Sequence, residues 1–150
     1  MYHAIVKRIA RRNFLRVNAK DFEAILRGCA PDIHHRFGGD HALGGERHDR
    51  EALRRWFGRL GRLGRHLTLS VEDIWVKGLP HDTTIVIRWS AADTLPDGSV
   101  YQNRGVHIVQ MRWGKVVDID AHENAQAVAA NLQRQAGLGV TEAVAAPILS

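Results

Sequence analysis

Residues 100–123 read VYQNRGVHIVQMRWGKVVDIDAHE. The run has no helical stripe and is rich in β-branched residues. Val100–Arg112 and Lys115–Glu123 therefore read as two strands, with Trp113-Gly114 as the tight turn between them. Upstream, Leu95-Pro96-Asp97-Gly98 is a strong hairpin signal, and Thr83–Ala92 before it is another strand. Leu79-Pro80-His81-Asp82 is a further turn, preceded by an alternating stretch from Leu67 to Lys77. Strands joined by such short connections predict an antiparallel meander.

Further upstream the period changes to that of helices. Residues from about 3 to 17 are helical in character. Asn18 is read as the cap of a second helix whose stripe is Phe22, Ile25, Leu26 and Cys29, ended by Gly28 and Pro31. Ile33–Phe37 reads as a short strand. The glycines at 38, 39, 44 and 45 bracket a loop. Asp49 caps a third helix with Leu53, Trp56, Phe57 and Leu60 on one side. Gly58, Gly61 and Gly64 follow, and each internal Gly costs about 1 kcal/mol against Ala, so fraying is expected after Leu60. Downstream of the meander, Asn124 caps a closing helix carrying Val128 and Leu132. Residues 137–150 are small and apolar, a tail suited to docking on a partner chain. Helices segregated from an antiparallel sheet make an α+β domain, here one domain over residues 1–150.

The chain carries 21 Lys and Arg against 16 Asp and Glu, a net charge of +5. Residues 1–66 carry a net +8 and residues 67–150 a net −3. The Arg-rich third helix (Arg50, Arg54, Arg55, Arg59, Arg62, Arg65) has no nucleic-acid-binding module beside it, so it reads as a solvated face and no nucleic-acid partner is expected. The single cysteine, Cys29, excludes an intramolecular disulfide and fits a reducing, cytoplasmic setting. No stretch approaches a membrane span. No dinucleotide, Walker or zinc-protease motif is present, so no cofactor is expected. His34-His35 has neither the strand nor the helix spacing that puts two ligands on one ion, so no metal is expected.

HHRFGG after the second helix, DREALRRWF in the third, YQNRGVHIV in the penultimate strand and WGKVVDI entering the last all resemble the nuclear-transport-factor-2-like superfamily. Within it the chain is similar to SnoaL-like and ketosteroid-isomerase-related proteins, from about residue 5 to residue 135. The resemblance implies a curved, cone-shaped sheet closed by the N-terminal helices, an apolar pocket at one end, and a homodimer through the outer face of the sheet. It implies an activity such as that of an isomerase, a polyketide cyclase, a dehydratase or an epoxide hydrolase, or a pure binding role. Against the epoxide-hydrolase branch, His35 and Phe37 match the first two pocket positions and Arg88 matches the catalytic Arg. Ser90 and Ala121 stand where that branch has its two aspartates.

Strand alternation then sorts the candidates. The expected catalytic set is His35, Arg88 and Glu123. The expected pocket set is Phe37, Trp56, Ser90, Tyr101, Asn103, His107 and Ile119. A one-residue slip of face would bring in Asp118, Asp120 and His122 instead. His35 or Glu123 could serve as general base, and Tyr101 and Asn103 could hold a carbonyl or enolate oxygen. The expected function is a small pocket protein working by acid–base chemistry on an apolar or cyclic small-molecule metabolite. The alternative is a non-catalytic module for ligand binding or dimerisation.

Overall fold

Thirteen-residue strands such as Asp82–Thr94 and Val100–Arg112 need partners on both sides and a helix layer over one face. The computed structural model, which describes residues 1–150, supplies both. Its elements in order are α1 (Tyr2–Asn18), α2 (Phe22–Arg27), β1 (Cys29–Phe37), β2 (Gly45–Arg47) and α3 (Arg50–Leu63). There follow β3 (Thr68–Leu79), β4 (Asp82–Thr94), β5 (Val100–Arg112), β6 (Lys115–Glu123), α4 (Ala125–Gly137) and a 3-10 turn at Thr141–Val144. The six strands form one curved, unclosed sheet in the order β2-β1-β6-β5-β4-β3. The meander β3–β6 is antiparallel, as expected. Trp113 (φ 49°) and Gly114 (φ 79°) turn β5 into β6 with two positive φ angles, the combination that matches the twist of the flanking strands.

Two apolar clusters cover the concave face. Val6, Ala10 and Phe14 of α1 pack on Ile74, Ile85, Ile87 and Trp89 of β3 and β4. On the other flank, Leu26, Leu53, Trp56, Phe57, Val128 and Leu132 from α2, α3 and α4 pack around Ile33 of β1. Val116 and Ile119 of β6 touch both clusters. Asp49 caps α3 by accepting from the Ala52 N–H (2.8 Å), and Asn124 caps α4 by accepting from that of Ala127 (3.1 Å).

Several local expectations are corrected. β1 runs parallel to β6, so the sheet is not wholly antiparallel. β1 starts at Cys29, which is its first residue rather than the last of a helical stripe. The glycine-bracketed stretch contains a short strand, Gly45–Arg47, paired antiparallel to the end of β1. Asn18 ends α1 instead of capping α2. Its amide is taken by β3, donating to the Leu69 carbonyl (2.9 Å) and accepting from the Leu69 N–H (2.7 Å). α3 does not fray after Leu60. The Lys20 ammonium caps the carbonyls of Gly61 (3.0 Å) and Gly64 (2.9 Å), a favourable place for a cation. The bare Cα of Gly61 admits the Phe22 ring, which a Cβ would meet at 3.0 Å. Lastly, the segment after α4 docks on its own chain. Glu142 binds Arg59 and Arg62, Arg59 donates to the Ala146 carbonyl (2.8 Å), and the Ser150 hydroxyl accepts from the His48 N–H (2.7 Å).

Candidate functional site

Register settles which side chains look into the cone. Ile87 pairs with His107, which pairs with Ala121, and Asp93 pairs with Tyr101. Ile119 pairs with Val109 on one side and with His35 on the other. All these residues are odd-numbered, and directly paired residues share a face. The even-numbered residues of the same strands look outward along this register, and only past the irregularity at Gln110–Met111 does an even-numbered residue, Val116, turn inward.

The concave face and the helices enclose a cavity of about 170 Å³, lined mostly by apolar side chains from α1, α3, α4 and the sheet. That is close to the roughly 150 Å³ apolar space that takes a single aromatic ring. His35, Phe37, Trp56, Tyr101, His107, Ile119 and Glu123 line it. Arg88, Ser90 and Asn103 do not. Arg88 is on the outer face, where it pairs with Glu72 (3.2 Å) and lies 5.6 Å above the Trp75 ring. Ser90 shares that outer face with Arg88. Both positions are even-numbered, and the inward residues of β4 are Ile85, Ile87, Trp89, Ala91 and Asp93. Asn103 is buried but spent, since it donates to the Tyr101 hydroxyl (2.8 Å) and the Asn124 carbonyl (3.1 Å). Asp118 and Asp120 also face outward, bound to His34, Arg36 and His122.

The two cavity histidines are held alike. Arg47 Nε donates to His35 Nδ1 (2.9 Å), and Trp89 Nε1 donates to His107 Nδ1 (2.6 Å). A ring nitrogen that accepts carries no proton, so each neutral imidazole keeps its hydrogen on Nε2. Burial pushes both pKa values down. His35 falls well below the ordinary range, helped by the Arg47 charge, and His107 falls to about 4. Both rings thus remain neutral hydrogen-bond donors at pH 7. Gly105 makes room for the Trp89 indole, which a Cβ there would meet at 2.8 Å.

Arg47 is fully buried and faces no carboxylate. Its guanidinium is satisfied by the carbonyls of Gly44 (3.3 Å), Gly45 (2.5 Å) and Ile148 (2.8 Å), besides His35. Burial lowers its pKa to about 10, leaving it charged.

The acidic groups behave in the opposite way. Desolvation raises Glu123 to about 7, with the Gly38 and Glu123 amides pulling it only partly back. Neither amide reaches hydrogen-bonding geometry, and both carboxyl oxygens are buried without a partner. Asp93 is raised for the same reason, although the Thr94 N–H donates to it at 2.8 Å. Tyr101 is raised by burial, and its hydroxyl hydrogen is left free to donate. Asp93, Trp89, Asn131 and Gln135 were not foreseen. Asp93 falls one residue beyond the Ala92 end expected for β4, and Asn131 and Gln135 lie on the inner face of α4.

This arrangement, a curved sheet around an apolar cavity with helices on its concave side, matches a known family. A family model for the SnoaL-like domain matches residues 10–119. The chain belongs to the SnoaL-like family. No curated protein matches it in sequence. Among solved structures, this SnoaL-like protein is similar to PrhC from Penicillium brasilianum, at 16% identity over 90% of each chain and a TM-score of 0.74. An NTF2-like protein of unknown function from Burkholderia pseudomallei gives 16% identity, 83% of this chain, 94% of that one, and 0.72. TerC, crystallised with polyporic acid, gives 18% identity, 85% and 97%, and 0.68. At such identities the likeness speaks for the fold, which is nuclear-transport-factor-2-like. In this SnoaL-like chain no helix is long and apolar enough to cross a membrane. Arg54, Arg59 and Arg62 of the basic α3 are engaged by Glu23, Glu51 and Glu142.

Proposed function

We propose that this SnoaL-like protein is an acid–base enzyme acting on a small, apolar, carbonyl-bearing ring metabolite, by proton transfer of the isomerase or cyclase type. The observation that carries the reading is Glu123, a buried carboxyl with no hydrogen-bond partner and a pKa of about 7. A base poised near the working pH transfers protons most effectively. In this reading Glu123 takes a proton from the carbon next to the carbonyl and returns it to another atom of the same molecule. The electron pair left behind moves onto the carbonyl oxygen. The Nε2–H groups of His35 and His107 and the Tyr101 hydroxyl donate hydrogen bonds to that oxygen, and their fixed orientation favours the charged enolate over the neutral ketone. Neutral imidazoles serve this purpose without surrendering a proton. TerC was crystallised with polyporic acid, which supports a ring compound as the occupant.

The test is solvent exchange. The protein is incubated in D2O with cyclohexanone, a one-ring ketone of the size the cavity takes, and deuterium entry beside the carbonyl is followed by NMR. Exchange should run well above buffer, and Glu123→Gln should reduce it at least a hundredfold. Exchange at the buffer rate, or equal in the variant, would overturn the reading. Tight binding without exchange would favour the ligand-binding module.

We also infer a homodimer through the outer face of the sheet, where Trp75 stays 47% exposed beside half-buried Val86, Val106 and Ile108. Light scattering at micromolar concentration should give twice the 16.8 kDa chain mass. A monomer would remove the inference.

A further inference from the structure

The strand pair β1–β2 carries a second cluster, on the face opposite the cavity. His34 on β1, Glu46 on β2 and His48 directly after β2 bring one ligand atom each to within 4.8 Å of one another. The pairing explains the convergence. His35 opposes Arg47 and Arg36 opposes Glu46, so the chain leaving the ladder after Arg47 brings the His48 ring against that of His34, with Glu46 two residues away on the same face.

The outer shell of a metal site is present as well. His34 Nδ1 lies 3.0 Å from Asp118 Oδ1, and His48 Nδ1 lies 2.7 Å from the Ser150 carbonyl. In each ring Nδ1 therefore carries the hydrogen and donates it to oxygen, and Nε2 turns its lone pair toward Glu46. A ligating histidine commonly has this arrangement, its far nitrogen held by a carboxylate or a carbonyl. The result is unusual without a cation. His34 Nε2 and Glu46 Oε2, two acceptors, face each other at 3.2 Å, and His48 Nε2 stands 3.9 Å from the same oxygen. A proton or a metal ion has to lie between them. Ligands about 2.0–2.1 Å from a tetrahedral ion are separated by roughly 3.3–3.4 Å, which these distances bracket.

We propose that His34, Glu46 and His48 form a binding site for a divalent transition-metal ion of the zinc type. Two imidazoles and one carboxylate suit zinc, cobalt or nickel and not the oxygen-seeking magnesium or calcium. The two rings are stacked, with centroids 4.4 Å apart and planes 13° from parallel. Their lone pairs therefore run side by side, and sharing one ion requires a ring to tilt. His48, whose side chain is 56% exposed, is the one with room to do so, because Asp118 holds His34. The fourth coordination position is open. The ion would tie β2 to β1 and, through His48, to the segment ending at Ser150. Arg47 sits on the other face of the same strand, so the ion would also steady the residue that holds His35.

Isothermal titration of tag-free, chelator-stripped protein with Zn2+ tests this. The expected result is one ion per chain with a micromolar or tighter Kd. His34→Ala, His48→Ala and Glu46→Gln should each weaken binding at least tenfold, and Asp118→Asn about tenfold. His81→Ala, at an exposed turn, should change nothing. Circular dichroism of each variant verifies that the fold survives. The Co2+ protein should show the intense visible bands of a four-coordinate ion. Affinity no better than millimolar would overturn the proposal and leave a proton between His34 and Glu46. Equal binding by wild type, His34→Ala and His48→Ala would overturn it also.

Discussion

Replacing Glu123 with Gln keeps the shape of the side chain and removes its ionisation. In the fold the carboxyl has a pKa of about 7, against an ordinary 4.5. Between those values the unfolded chain has released the proton and the folded chain still holds it. Stability of the wild type therefore falls as pH rises from 4.5 to 7 and is level above that. The difference of about 2.5 units corresponds to roughly 3.4 kcal/mol at 1.36 kcal/mol per unit. Glu123 is half-buried rather than sealed, and solvent screening reduces this to about 2 kcal/mol. Gln loses this slope while any cost of its amide is the same at every pH. Urea unfolding of both proteins at pH 4.5, 5.5, 6.5, 7.5 and 8.5 isolates the effect, because subtracting the two curves cancels every other titrating group. The variant should gain about 2 kcal/mol on the wild type across the series, nearly all of it before pH 7.5. A difference independent of pH would show that Glu123 ionises normally and would remove the physical basis of the proposed base.

His107 should act with the opposite sign. Its folded pKa is about 4, so stability is lost as pH falls from 6.5 toward 4, by about 2–3 kcal/mol. His107→Gln should flatten that part of a urea-unfolding series, and an unchanged slope would refute the burial argument. Arg47→Met strands three backbone carbonyls and the His35 nitrogen, and should cost about 3–5 kcal/mol in chemical denaturation. A loss below about 1 kcal/mol would mean that the buried guanidinium is not needed. Arg88→Ala removes an exposed pair and should cost under about 1 kcal/mol, with cyclohexanone exchange within twofold of wild type. A large loss of exchange would return Arg88 to the cavity and contradict the register.

The elements were legible because their signals are local. The bounds of β5 and β6 follow from alternation and from Trp113-Gly114. Asp49 and Asn124 cap the helices expected of them. Tertiary rivals undid the rest, as when β3 claimed the amide of Asn18 and Lys20 held the end of α3 that its glycines should have loosened. The site was half legible. His35 and Glu123 line the cavity as alternation predicts, whereas Arg88 and Ser90 lie on the opposite face of β4. In the β4–β5 hairpin the numbers of paired residues sum to 194, as in Ile87 with His107. An even sum means that partners share parity, so Arg88 could never accompany His107. That constraint was present in the turn at Pro96-Asp97-Gly98. What obscured it is that β5 reverses the usual rule, turning Tyr101 and His107 inward and Val106 and Ile108 outward. The resemblance to the epoxide-hydrolase branch places Arg88 and Ser90 in the pocket, and this register does not follow that branch. The Arg47 cage and the His34–Glu46–His48 cluster were invisible for another reason, since both depend on β2, a three-residue strand among glycines with no periodicity to read.

The cage around Arg47 also sets an order of events during synthesis. Its guanidinium waits for the Ile148 carbonyl, 101 residues later in the chain. At 5–20 residues per second, roughly 5–20 s separate the making of the two groups. Through that interval the nascent chain can assemble its helices and most of its sheet, but Arg47 must stay hydrated and the His35 ring unlocked. The cavity therefore acquires its final arrangement of donors only after Ile148 has been made, so the site matures later than the helices and strands that enclose it.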